Sequence, residues 1–351
     1  MLNILLRHGN LVPNYFIGAL KRRHNRVLRT HVLAVIYGLI LMGCSDSSSP
    51  PATRDVHTTR CVGEVSAFDR HEFQCDGVKF NVMLTQECID QACGLIFDLH
   101  GWLSNPEQQE ARSNLARAAL ENGGYIVVQP GELSQPSSWK PEIHNAIVYE
   151  FMQQALEAFD VDRDLVHFTG FSQGGLMTWQ FICDHSDVIA SAAPVSSIAI
   201  DCLPNKIGPD RMVPTLLISG TQDILVRYYN PVVQLSVPYT LVAAMYDYGM
   251  VTVDADGYNF SETGGIVVDG AGKIDVASDT VRFEVVDGNE DAGYFWTRYT
   301  NANDIVFEHL RHTNGHVYPD NPDSLIFPEE PSVWFSIGDA ILQFFIENPR
   351  T

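Results

Sequence analysis

Positive charge is scarce in this chain. Beyond residue 43 only 16 Lys and Arg stand against 43 Asp and Glu, so the full-length net charge of −21 deepens to −27 over that stretch. Such a surface repels phosphate backbones and anionic lipid, which argues against nucleic acid as a partner. No two of the seven cysteines are spaced C-x-x-C, which argues against thioredoxin chemistry and a structural zinc site. The apolar run "VLAVIYGLILMG" at residues 32–43 is too short to span a bilayer comfortably.

That run follows six basic residues (Arg7, Lys21, Arg22, Arg23, Arg26, Arg29) with no acid among the first 43 positions. The pattern is that of a signal peptide over residues 1–43. "LMGC" resembles the lipobox of bacterial lipoproteins, which implies acylation of Cys44 and a mature N-terminus there, with an ordinary secretory signal as the alternative. Ser45 after the cysteine resembles outer-membrane sorting. Residues 44–56, opening "CSDSSSPPAT", then read as a flexible polar tether. The expectation is an exported protein, lipid-anchored to the outer membrane or cell surface, otherwise secreted or periplasmic.

The remaining cysteines fit an oxidising compartment, because Cys61, Cys75, Cys88, Cys93, Cys183 and Cys202 are even in number. Six cysteines allow about 15 sets of three bridges. Pairing in chain order closes short local loops and is the expectation.

From residue 57 to 351 the elements alternate. "RHEFQCDGVKFNVML" predicts a hairpin turning at Asp76 and Gly77. "GLIFDLHG" and "YIVVQPG" are buried-strand runs flanking one helical stretch, "NPEQQEARSNLARAALENGG". "NAIVYEFMQQALEAFD" predicts an amphipathic helix, with Ile147, Val148, Phe151, Met152, Ala155, Leu156 and Phe159 on one face. Further strands are expected in "LVHFTG", "VIASAAPVSS", "VPTLLISG" and "DIVFEHLRH". A last helix is expected in "PSVWFSIGDAILQFFIENP", with Val333, Trp334, Ile337, Ile341, Phe344 and Phe345 on one face. This order predicts βαβ units and a mostly parallel sheet flanked by helices. Residues 246–299, rich in Gly, Asp, Val and Thr, break the alternation and predict a β-rich insertion. Within it "DADG" at residues 254–257 reads as a surface turn, since a calcium-loop register would put Thr263 where a bidentate Glu belongs.

One serine stands where strand gives way to helix. In "FTGFSQGGLMTW" the pattern G-x-S-x-G is met by Gly170, Phe171, Ser172, Gln173 and Gly174. A strand, a sharp turn and a helix lift such a hydroxyl above the sheet edge, and small neighbours make the turn sterically possible. The helix start supplies the Gln173 N–H as an oxyanion donor, and the turn after "FDLHGW" offers the Trp102 N–H as the second. The acid is expected after "TLLISG", at Asp223, and the base in "RHTNGHVYP", at His316, with His309 and His312 as rivals. Singly, Ser172 is a turn residue, Asp223 a helix cap and His316 a loop histidine. Jointly they occur in nucleophile, acid, base order, each after a strand.

From about residue 94 onward these stretches ("DLHGW", "YIVVQPG", "VDRDLVHFTGFSQGG", "APVSS", "ISGTQD", "NGHVYP") resemble the esterase family of polyhydroxybutyrate depolymerases and feruloyl or acetylxylan esterases. The resemblance implies an α/β-hydrolase fold, the roles just given to Ser172, Asp223 and His316, and no metal or organic cofactor. Tyr318 replaces the family's Trp in G-H-x-W-P, and Ser219 its His in H-G-T-x-D. The insertion falls outside the resemblance, and Trp139 together with Tyr246, Tyr258, Phe260, Tyr294, Phe295 and Trp296 of the insertion are aromatic candidates for polymer contact, although core packing explains any one of them. The expected activity is serine ester hydrolysis of an extracellular polymer, an aliphatic polyester first and feruloyl or acetyl esters on plant polysaccharide as the alternative. Peptide hydrolysis and non-catalytic polymer binding are the remaining readings.

Overall fold

The computed structural model describes residues 61–132, 137–200, 202, 211–251, 281–289, 293–321 and 331–350. The expected signal peptide (1–43), Cys44, the tether (44–56) and, within the insertion, residues 252–280 with Tyr258, Phe260 and the 254–257 turn lie outside them.

β1 (Arg70–Cys75) and β2 (Val78–Met83) form the expected hairpin, its corner made by Asp76 and Gly77 at φ 47° and 85°. After a helical turn at Glu87–Asp90, β3 (Cys93–Leu99) is buried at every position, as a strand covered on both faces must be. The single helix expected next is two. α1 (Pro106–Ser113) starts on an Asn105 cap that accepts the Gln108 N–H at 2.9 Å, and it stops at Asn114. Asn114 sits at φ 57°, and α2 (Leu115–Asn122) begins beyond it. Asparagine is among the few residues that tolerate this left-handed conformation, so one side chain breaks a run whose composition is helical throughout.

β4 (Tyr125–Glu132) leads to α3 (Pro141–Ala158), which buries Val148, Phe151, Met152, Ala155 and Leu156 as expected. β5 (Val161–Phe171), α4 (Gln173–Asp184), β6 (Ser191–Val195), β7 (Thr215–Gly220) and α5 (Val237–Asp247) follow. Residues 246 and 247, expected to open the insertion, end α5 instead. The described part of the insertion is indeed strand: β8 (Arg282–Asn289) and β9 (Tyr294–Thr300) pair with each other, and β9 pairs with β10 (Val306–His312). They widen the central sheet. α6 (Ile337–Glu347) closes the chain from a Ser336 cap, and Trp334, expected on its apolar face, precedes it and is 79% exposed.

The described strands form one ten-stranded sheet in the order β1-β2-β4-β3-β5-β6-β7-β10-β9-β8. The six central strands run parallel and the outer pairs antiparallel. α3, α4 and α5 pack their apolar residues on one face, around Phe97, Phe168 and Leu217; α2 and α6 cover the other, around Ile96, Ile218 and Leu310. The bridges are Cys61–Cys75, Cys88–Cys93 and Cys183–Cys202, the pairing in chain order. No helix among the described residues is long and apolar enough to cross a membrane.

Candidate active site

In an open parallel sheet, chemistry collects where the strands end, and the four relevant loops lie at the C-terminal ends of β3, β5, β7 and β10. Between β5 and α4, Ser172 alone makes the turn, at φ 55° and ψ −113°, a backbone conformation costly for a residue with a Cβ. The fold over-determines it: the Ser172 N–H donates to the Val195 carbonyl at 2.9 Å, and its carbonyl accepts from the Leu176 N–H at 2.9 Å. The flanking glycines are steric necessities. A Cβ on Gly170 would meet the Gly174 backbone at 2.6 Å, and one on Gly174 would meet the Leu99 carbonyl oxygen at 2.3 Å.

Asp223 is buried beyond the end of β7. One carboxylate oxygen accepts the N–H groups of Leu225 and Val226 at 2.8 and 2.9 Å, and the other accepts from His316 Nδ1 at 2.7 Å. The first oxygen is fixed by its own turn, so the second is aimed at the imidazole. The acid and histidine loops are also stitched by backbone, the Thr221 N–H donating to His312 O at 2.8 Å and the Gln222 N–H to Asn314 O at 3.2 Å. Gly220 permits that approach: a Cβ there would lie 2.3 Å from Asn314 O and 2.4 Å from Gly315 O.

The structure therefore brings Asp223 and His316 together, and the Phe171 ring, next in sequence to Ser172, lies 4.8 Å from the His316 ring. No hydrogen bond joins the Ser172 hydroxyl to His316 among the described residues, a contact that commonly tightens only around substrate. Neither rival histidine has a side-chain hydrogen bond to Asp223 among the described residues. His309 is buried, its Nε2 2.7 Å from Ser219 Oγ, and His312 is buried with no hydrogen bond to either ring nitrogen among the described residues; burial pushes both down to about 3.

The turns that carry the two expected oxyanion donors also meet. A Cβ on Gly101 would touch Phe171 and the Ser172 Cβ, at 3.0 and 3.2 Å, so the turn after β3 rests on the serine turn. Neither the Trp102 nor the Gln173 N–H has a partner among the described residues. The Gly101 carbonyl, in the same planar peptide unit as the Trp102 N–H, takes hydrogen bonds from His100 Nδ1 at 2.7 Å and from the Ser104 N–H at 3.2 Å. Planarity then fixes the opposite direction of the Trp102 N–H.

No sequence pattern points to the polar network under the histidine loop. Asp98, fully buried at the end of β3, accepts from Gln109 Nε2, Ser113 Oγ and Gln129 Nε2 at 2.6, 2.8 and 3.2 Å, and burial pushes its carboxyl up. The same Gln109 nitrogen donates to the Tyr318 hydroxyl at 2.8 Å, while the Tyr318 ring stacks on Phe171 at 5.2 Å. A charged residue inside the apolar run "GLIFDLHG" was the one local sign of it. Of the aromatic candidates for polymer contact, Trp139 and Tyr294 are buried, Phe295 and Trp296 half-buried and Tyr246 exposed. Among the described residues no group of three or more His, Cys, Asp or Glu could hold a metal ion.

No protein-family model matches the chain. Over 148 residues it is 30% identical to feruloyl esterase B of Piromyces equi, covering 40% of this chain and 28% of that protein. Over 139 residues it is 27% identical to a bifunctional acetylxylan esterase/xylanase of Neocallimastix patriciarum, covering 38% and 20%. The match thus spans less than a third of either relative. Among solved structures, the acetyl xylan esterase from Aspergillus awamori superposes with a TM-score of 0.50 at 13% identity, over 76% of this chain and 93% of that one. The chain has the α/β-hydrolase fold. Within this fold the strained serine, the paired acid and histidine and the two unpartnered amides occupy the loops expected from chain order.

Proposed function

We propose that the protein is a serine ester hydrolase. The observation that carries this reading is the Asp223–His316 pair standing beside a serine held in a strained turn, with two unpartnered N–H groups at the same corner. Ser172 Oγ attacks the ester carbonyl carbon while His316 Nε2 takes its proton, and the oxyanion rests between the Trp102 and Gln173 N–H groups. Collapse breaks the ester C–O bond, the imidazolium gives its proton to the departing alcohol, and water repeats the sequence to free the acid. No step asks for a metal or an organic cofactor.

For substrate, the two curated relatives are named for feruloyl and acetylxylan ester hydrolysis. They move the preference from aliphatic polyester to acetyl or feruloyl esters carried on plant polysaccharide. Export remains part of the proposal, supported by three disulfides of a kind that persists in oxidising compartments. The test is hydrolysis of p-nitrophenyl esters of graded chain length, acetylated xylan, methyl ferulate and polyhydroxybutyrate film, beside Ser172→Ala and a phosphonate probe. Turnover should fall by at least about 10⁴-fold in the variant and the probe should map to Ser172. Turnover unaffected by the substitution sinks the assignment, and film hydrolysis without acetate or ferulate release restores the polyester. Membrane-recovered protein lacking a diacylglyceryl mass on Cys44 removes the anchor.

A further inference from the structure

Residues 137–139, just ahead of α3, touch both sides of the corner where the oxyanion would sit. Trp139 is 4% exposed, its ring 5.1 Å from that of His100 and 5.5 Å from that of His144. Its indole N–H donates to the His100 carbonyl at 2.8 Å, while the Ser137 carbonyl accepts the Leu103 N–H at 3.0 Å. Those two bonds bracket Gly101 and Trp102. On the other side, the Trp139 backbone N–H and the Ser138 hydroxyl both donate to the Gln173 side-chain oxygen, at 3.1 and 3.3 Å. Gln173 is the residue whose own N–H is the second donor.

We propose that Trp139, with its neighbours Ser137 and Ser138, is a positioning residue that holds the two oxyanion donors at a fixed separation. The inference rests on the serine-hydrolase reading and adds to it a residue that touches neither substrate nor reacting atoms. Gly101 leaves the β3 turn two soft dihedrals immediately before the Trp102 N–H. The indole fixes the peptide plane before that glycine, as the His100 ring fixes the plane after it. Leu103 needs the same restraint, since it is held at φ 59° although it is not a glycine. The Gln173 contacts tie this turn to the helix start on the far side, so the donors move together or not at all. Donors count only when aimed where the charge develops, so a loosened hole loses transition-state stabilisation and leaves ground-state binding unchanged.

The test is the full-length protein as wild type and as Trp139→Phe, which keeps a ring between the two histidines and deletes the indole N–H. Gln173→Met, at a half-buried site on the first turn of α4, removes the other contact and guards against a misfolded first variant. Each is assayed on p-nitrophenyl acetate and against a boronic acid that mimics the tetrahedral intermediate. Both variants should lose about 10- to 30-fold in kcat with KM within about 2-fold, and boronate affinity should fall in parallel, less than the 10²–10³-fold typical of deleting a donor outright. Wild-type kcat in both variants, a rise confined to KM, or a fall in kcat with boronate affinity intact overturns the inference. Turnover by wild type that these variants leave unchanged sinks the brace alone, whereas a wild type inert to esters and to the phosphonate probe sinks the hydrolase reading with it.

Discussion

At the scale of single residues, Asp223 shows how a side chain's two ends are given different work. One oxygen serves two turn amides and the other serves His316 Nδ1. In Asp223→Asn the amide oxygen must stay with the Leu225 and Val226 N–H groups, because an NH₂ there would face two donors. The NH₂ then points at His316 and forces Nδ1 to accept, which puts the proton on Nε2, the nitrogen that should take the proton of Ser172. The expected result is a loss of about 10⁴ in kcat with little change in thermal stability. Activity within about 10-fold of wild type would show that Asp223 does not set the tautomer. The elbow residues were legible in the sequence because a nucleophile, its turn and its small neighbours fall within five consecutive positions, although the Leu99 carbonyl that forbids a Cβ on Gly174 is distant in sequence. Trp139 was not, since its partners His100 and Gln173 lie 39 and 34 positions away, and no short-range pattern records a contact of that span. The Gln109–Tyr318 bond, 209 positions apart, is still less visible.

Among elements, the decisive joint is between the loops after β7 and β10. Two parallel strands bring them side by side, with His312 in register with Gly220, and their backbones then hydrogen-bond across. Gly220→Ala would drive a methyl into the carbonyl oxygens of Asn314 and Gly315, two backbone groups that cannot swing aside as a side chain can. Relief requires the histidine loop to withdraw from Asp223. Overpacking of this kind costs about 1–3 kcal/mol, and a displacement near 1 Å costs on the order of 10²-fold in rate. The variant should therefore be more weakened in kcat than in stability, as urea unfolding beside kinetics would show; equal kcat in wild type and variant would mean that the loops tolerate separation. β7 and β10 were legible as apolar runs, whereas α5 between them was not, because it is buried from Val237 to Met245 and shows no amphipathic stripe. The break at Asn114 was not legible either, because a left-handed residue leaves composition unchanged, and β8 and β9 read as an insertion because neither alternates with a helix.

Across the whole molecule, burying histidines couples folding to pH. His167, His309 and His312 are each pushed by desolvation from 6.5 to about 3. In the unfolded chain each binds a proton near pH 6.5, whereas in the folded chain each stays neutral until about pH 3. Between those limits the unfolded state binds more protons, so the stability present above pH 6.5 is lost as pH falls towards 3. Asp98 and Glu308 act in the opposite sense, because burial raises their carboxyls and the folded state then keeps protons that the unfolded state releases. A comparison of variants separates the two. His312 makes no hydrogen bond through either ring nitrogen among the described residues, so His312→Leu removes a titrating group without orphaning a partner, and the acids stay as they were. The stability difference, variant minus wild type, should rise in the variant's favour by up to about 1.4 kcal/mol for each unit that pH falls below 6.5. It should be flat above pH 7, where the imidazole is neutral in both states. Urea midpoints from pH 8 to pH 4 read this directly. A difference that does not change with pH would place a hydrogen-bond partner or water beside His312 and keep its basicity near that of a free imidazole.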